Sequence, residues 1–400
     1  MLNHAVPAPS LQARPVVRAL SESRIRQVAN SAMGRADVLA FWFGEPDGVT
    51  PAAVRAEAKA SLDAGDTFYG PTLGLPELRE TLSSYIGGLH RPVPIERIAV
   101  TSSGVNALML ACQTILSPGD RVVAVVPLWP NLVEIPRVLG AQVDTVPLHL
   151  DPNTRRWQLD LGALLERLTP GTRAVLINSP NNPTGWVMSA SDQAQLLEHC
   201  RRHGIWILSD EAYERLVFDE CACAPSMLDI AHAEDALIVA NTFSKTWQMT
   251  GWRLGWLVVP RPLTADLSKL IEFNTSCAPA FVQKAGVIAI RTGESELAQL
   301  RARLLRGKET LLAALADIPG VSAGIPDGAM YAFLHIAALT DSLAFAKHLV
   351  QSVGLGLAPG SAFGPEGEGW LRWCFARPPG ELLEGAARLR AGLASFSGRA

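Results

Sequence analysis

The sequence predicts an α/β fold: a mostly parallel, seven-stranded sheet between helices, followed by a smaller α+β region. Three observations carry this expectation. From about residue 97, short β-branched runs alternate with amphipathic helical stretches. Most of the runs are apolar on both faces, which is the pattern of strands covered on both sides. Only 18 % of the 400 residues are charged, against 48 % hydrophobic. That charged share lies below the roughly 25 % of ordinary soluble domains, so much surface must be buried.

In order, the spacing predicts strands over 97–101, 121–126, 142–148, 173–177, 205–208, 236–240 and 254–259. Helices are expected over 104–115 and 192–203. Beyond about residue 281 the texture changes. One long helical pattern covers 282–315, followed by short strands over 331–334 and 371–375 and helices over 341–352 and 381–395. The domains expected are an N-terminal arm with part of the small domain (1–45), a large domain (46–280) and a small C-terminal domain (281–400).

Composition excludes several classes. Thirty-five Lys+Arg against 38 Asp+Glu leave a net charge of −3, without the basic excess of a general nucleic-acid binder. The longest apolar runs, 122–130 and 329–339, fall short of the ~18 residues that span a bilayer. Residues 1–10 lack the basic start and long apolar run of a secretory signal and read as a Pro-containing arm. Cys112, Cys200, Cys221, Cys223, Cys277 and Cys374 are scattered, as free thiols of a reducing cytoplasm would be. Cys221-Ala-Cys223 is too tight a pair for a zinc knuckle, and no metal is expected.

In parallel sheets, ligands bind beyond the carboxyl ends of the strands, and the chemistry-bearing residues fall there. Thr242-Phe243-Ser244-Lys245 follows one predicted strand, with Arg253 eight residues on. A lysine enclosed at a strand end, near an arginine, has a depressed pKa and forms imines readily. Ser209-Asp210-Glu211-Ala212-Tyr213 follows another strand, and a buried acid there needs a cationic partner. Ser179-Pro180-Asn181-Asn182-Pro183-Thr184-Gly185 is a rigid turn with two free amides. In Thr101-Ser102-Ser103-Gly104-Val105-Asn106 a helix begins with free N–H groups, which suits a phosphate. Phe43-Gly44-Glu45-Pro46-Asp47 and Thr67-Phe68-Tyr69-Gly70-Pro71 are further turns. Taken singly, each has a plainer reading: a solvated lysine, an N-cap aspartate, a stiff turn.

Together, in this order and spacing, the motifs resemble those of the class I/II aminotransferases, pyridoxal-phosphate enzymes of fold type I. The resemblance runs from about residue 39 to 393. It implies a homodimer with active sites at the subunit interface. Lys245 resembles the family's Schiff-base lysine, which also moves the substrate proton. Asp210 matches the acid facing the pyridine nitrogen, and Asn182 and Tyr213 the pair that hydrogen-bonds the ring oxygen. Trp129 stands where the family usually stacks a Tyr or Phe on the ring. The phosphate is expected on the amides of Gly104, Val105 and Asn106, with Ser244, Thr242 and Arg253, and with Tyr69 from the neighbouring subunit. Arg372, helped by the Gly44 backbone, resembles the fork that grips the substrate α-carboxylate.

The resemblance implies transfer of an amino group from an L-amino acid to a 2-oxo acid. Some aspartate-specific relatives place a lysine where this chain has Asn106, which disfavours acidic donors. Trp42, Trp129, Trp247, Trp252 and Trp370 lie near the motifs and are candidates to line an apolar pocket for aromatic or large aliphatic donors. Several could instead fill the domain interface, Trp252 above all. The alternative within the fold is a C–S lyase or other β-eliminating enzyme. A cofactor-binding regulator is disfavoured, since about forty residues precede Gly44, too few for a winged helix and linker.

Overall fold

The computed structural model describes residues 11–396. The expected Pro-containing arm over 1–10 lies outside the described residues. Among the described residues, an eight-stranded sheet forms the centre. Its strands are β2 (Ile98–Thr101), β3 (Arg121–Val126), β4 (Gln142–Leu150), β5 (Trp157–Leu159), β6 (Thr172–Asn178), β7 (Trp206–Asp210), β8 (Leu237–Thr242) and β9 (Gly255–Val258). They are ordered β2-β9-β8-β7-β6-β3-β4-β5. Only β9 and the edge strand β5 run against the rest. The expected class holds, and the sheet carries one strand more than the seven predicted. The addition is β5, three residues long and hidden in a polar stretch.

β2, β3, β7 and β8 have almost no exposed residue, because helices cover both faces. Gly104–Ile115 and Thr264–Glu272 pack on one side, and Ala190–His203 packs on the other. Burial on two faces is why these strands read as unbroken apolar runs.

A smaller antiparallel sheet of β10 (Val321–Ala323), β11 (Tyr331–Ile336), β13 (Ala358–Pro359) and β14 (Trp370–Cys374) has the order β10-β11-β14-β13. The N-terminal pair β1 (Leu39–Ala40) runs parallel to β12 (Leu355–Gly356), which ties the N-terminal segment to the C-terminal region. The long helix expected over 282–315 is instead two helices, Ala280–Thr292 and Glu294–Ala316. Gly293 divides them where the chain crosses Trp247. A Cβ there would lie 2.4 Å from the Ala289 carbonyl oxygen and 2.8 Å from the Trp247 ring. Among the described residues, no helix is long and apolar enough to cross a membrane.

Candidate active site

The carboxyl ends of β2, β3, β6, β7 and β8 lie on one edge of the sheet, and the loops leaving them enclose a cavity of about 250 Å³. After β2 the chain turns through Ser103, whose φ of 133° is rare for a non-glycine residue. That turn aims the start of helix Gly104–Ile115 at the cavity. Ser103 caps the helix: its hydroxyl oxygen accepts the Asn106 amide at 3.0 Å. The amides of Gly104 and Val105 have no partner among the described residues. The Asn106 amide, also expected at the phosphate, is engaged by this cap. The Asn106 side chain is also engaged, donating to Asn274 and accepting from the Ser102 amide.

Gly255 of β9 permits this geometry. A Cβ on it would sit 2.7 Å from the Gly104 nitrogen and 2.8 Å from the Asn241 carbonyl oxygen. After β8, the Thr242 hydroxyl lies 2.9 Å from that of Ser244 and receives the Ser244 amide at 3.1 Å. Arg253, at φ 55°, reaches the same corner and donates to the Thr250 carbonyl. Lys245 comes next and donates to the Gly44 carbonyl at 2.5 Å. Burial pushes its pKa down to about 8, with Arg372 and Arg253 adding repulsion.

Asp210 ends β7. Burial raises its carboxyl to about 6, against the pull of the Ala212 amide and Lys245. One oxygen accepts that amide at 3.2 Å, and the other has no hydrogen-bond partner among the described residues. Behind it, Asn178 donates to the Asp210 carbonyl and accepts the Asn182 amide at 2.8 Å. This bond fixes the turn after β6 and points Asn182 at Arg372. Arg372, on β14, donates to Asn182 Oδ1 at 2.9 Å and to the Trp42 carbonyl. Its guanidinium lies over the rings of Tyr331 and Phe363, at 4.5 and 5.0 Å. Its Nε is buried with no partner among the described residues, a donor that a substrate carboxylate would satisfy.

The cavity thus gathers Gly44, Gly104, Val105, Trp129, Asn182, Asp210, Tyr213, Thr242, Ser244, Lys245, Arg253 and Arg372. Asn106 and Tyr69 lie outside it. Tyr69 is 89 % exposed. Of the five tryptophans considered for the pocket, only Trp42 and Trp129 line it. Trp247 packs on Phe243 and Trp256, Trp370 stacks on Phe333, and Trp252 donates to Thr50.

The sequence reading missed Tyr331 and Asn178. Tyr331 stands in an apolar strand with no polar motif around it. Its signal is rarity, since the chain has only four tyrosines.

Residues 36–389 match the family model described as aminotransferase class I and II, and the chain belongs to that family. It is a transaminase. An aspartate aminotransferase of Pyrococcus horikoshii is 32 % identical over 378 residues, 94 % of this chain and 95 % of the relative. An arginine–pyruvate transaminase of Pseudomonas aeruginosa is 32 % identical over 370 residues, 91 % of this chain and 92 % of the relative. The crystal structure of an aromatic aminotransferase from P. horikoshii superposes with a TM-score of 0.84 at 28 % identity, covering 92 % of this chain and 98 % of that one.

Proposed function

We propose that the cavity holds pyridoxal phosphate bound through Lys245, and that the enzyme moves the amino group of an aromatic or large aliphatic L-amino acid to a 2-oxo acid. One observation carries this reading. A lysine of depressed pKa and a buried, half-satisfied carboxylate face one cavity, at whose edge two helix-start amides stand unpaired. These donors and acceptors fit the group: amides and hydroxyls for a phosphate, an acid for a ring nitrogen, an amine for an aldehyde.

When bound, the cofactor withdraws electrons from the substrate α-carbon and so loosens its proton. Lys245 takes that proton and returns it, and a pKa near 8 lets it do both near neutrality. Asp210 keeps the ring nitrogen cationic. Asn182 Nδ2 and the Tyr213 hydroxyl would serve the ring oxygen, and Trp129 would offer an aromatic face to the ring. Gly104, Val105, Ser244, Thr242 and Arg253 hold the phosphate. Arg372, with the Gly44 backbone, holds the α-carboxylate.

The donor follows from the charges around the cavity. Among the described residues, Lys245, Arg253 and Arg372 are its only cationic lining residues, and each already has a role. Ile25, Trp42, Phe43, Leu108 and Trp129 supply apolar lining. Among the described residues, the lining holds no further cation for a second carboxylate; Arg26, outside it, lies over the Phe43 ring at 5.6 Å.

A homodimer is supported by exposed Val49, Phe68, Tyr69 and Phe273, with Tyr69 reaching the phosphate of the other subunit's site. The unpaired buried thiols of Cys112, Cys200 and Cys374 support a cytoplasmic location. The proposed division is an N-terminal arm with part of the small domain (1–45), a large domain (46–280) and a small C-terminal domain (281–400), with one shift. Helix Ala280–Thr292 packs on Ala52–Asp63 and Pro76–Leu89, so the passage to the small domain falls after it.

The test is a panel of amino donors with pyruvate or 2-oxoglutarate as acceptor. Aromatic and large aliphatic donors should turn over fastest, and only with an acceptor present. Preference for aspartate would refute the donor assignment. Turnover without an acceptor would indicate elimination instead.

A further inference from the structure

Tyr331 has none of the roles above, yet it is the most completely buried polar side chain of the cavity lining. It opens β11 of the smaller sheet. Its hydroxyl lies 2.7 Å from that of Tyr213, and the two rings meet edge to face, with centroids 5.6 Å apart at 78°. The Arg372 guanidinium rests on its ring. A Cβ on Gly44 would fall 1.8 Å from its oxygen, so the Gly44 backbone closes the remaining side. Among the described residues, Tyr213 is the only hydrogen-bond partner of this hydroxyl.

A phenol has one hydrogen to give and lone pairs to accept with. A Tyr213 that gives its hydrogen to the cofactor's ring oxygen has none left for Tyr331. The pair then has one consistent direction: Tyr331 donates and Tyr213 accepts. A hydroxyl whose oxygen accepts a hydrogen bond is polarised and donates more strongly in turn. We propose that Tyr331 is a positioning residue, which donates to Tyr213, fixes the direction of the Tyr213 hydrogen and strengthens the bond Tyr213 gives to the ring oxygen. The inference rests on the pyridoxal phosphate reading. The pair also joins the two sheets, since Tyr331 comes from the smaller one and Tyr213 from the loop after β7.

The consequence is a shift in a titration. A stronger donor makes the ring oxygen a weaker base, so the proton it shares with the lysine nitrogen is held less tightly. Removing the Tyr331 hydroxyl raises the pH at which that proton leaves.

The experiment titrates the visible absorbance of the cofactor-loaded enzyme against pH. Y331F keeps the ring under Arg372 and should raise the midpoint by about half to one pH unit. Y213F should raise it further, and the Y213F/Y331F double variant no further than Y213F alone. A Y331F midpoint equal to wild type, or additive shifts in the double variant, overturns the proposal. Should Y331F not fold, Y331M removes the same hydroxyl and is read in the same way. A wild-type enzyme with no pH-dependent visible band overturns the pyridoxal phosphate reading itself. An unmoved Y331F in the presence of such a band overturns only the role of Tyr331.

Discussion

Arg372, proposed to hold the substrate α-carboxylate, is held on several sides in this structure. Asn182, the Trp42 carbonyl and two aromatic rings hold the guanidinium, and its Nε is left over. Truncating a buried, hydrogen-bonded partner of a carboxylate costs roughly 2–5 kcal/mol. R372A should therefore raise KM for every amino donor alike, by at least tenfold; an unchanged KM would assign the carboxylate to another residue. Asp210 is proposed to act by charge on the cofactor's ring nitrogen. D210N keeps its shape and loses the carboxylate's preference for a cationic ring nitrogen, a charge-assisted bond worth about 1.5–3 kcal/mol. Steady-state kinetics should show kcat/KM down roughly ten- to hundredfold, and full activity would exclude the assigned role.

At the scale of elements, the site depends on how closely β9 approaches the start of helix Gly104–Ile115. Gly255 faces Thr101 on one side and Thr242 on the other, with backbone atoms where a Cβ would go. Backbone cannot turn aside as a flexible side chain can. G255A should cost about 1–3 kcal/mol by denaturant unfolding and weaken cofactor binding with it. Wild-type stability would show that the strands can separate without loss.

The same elements show what the sequence makes legible. Lys245, Asp210 and Asn182 stand out because polar motifs follow apolar strands, a contrast visible along the chain. Tyr331 does not, because its meaning comes from Tyr213, 118 residues away. The break at Gly293 is hidden for a similar reason. Helical periodicity continues across it, and only the close approach of the Ala289 carbonyl and the Trp247 ring marks the break. The engagement of the Asn106 amide by the Ser103 cap is not legible either, because a free helix-start amide and a capped one look alike in sequence.

For the whole molecule, the low charge content now has a location. Several of the few charges are buried in networks rather than spread for solubility. Outside the site, His90 bridges Asp229 at 2.8 Å and Glu214 at 3.6 Å, joining the end of helix Pro76–Leu89 to the segment after β7. Burial disfavours its charged form, but the two carboxylates outweigh burial and raise it to about 10. A folded pKa above the unfolded ~6.5 gives stability that is complete below 6.5 and lost as pH rises through about 10. H90Q should flatten the decline of stability across that window, by an amount on the order of a few kcal/mol. An unchanged pH profile would show that His90 is not charged in the fold.

The central claim is that Lys245, of all the lysines, holds the cofactor. Borohydride reduction of the pyridoxal-phosphate-loaded enzyme, followed by peptide mass mapping, tests it most directly. The account predicts a single phosphopyridoxyl group, on the peptide containing Lys245, and none in K245A. A label on another lysine, or K245A labelled like the wild type, would contradict it.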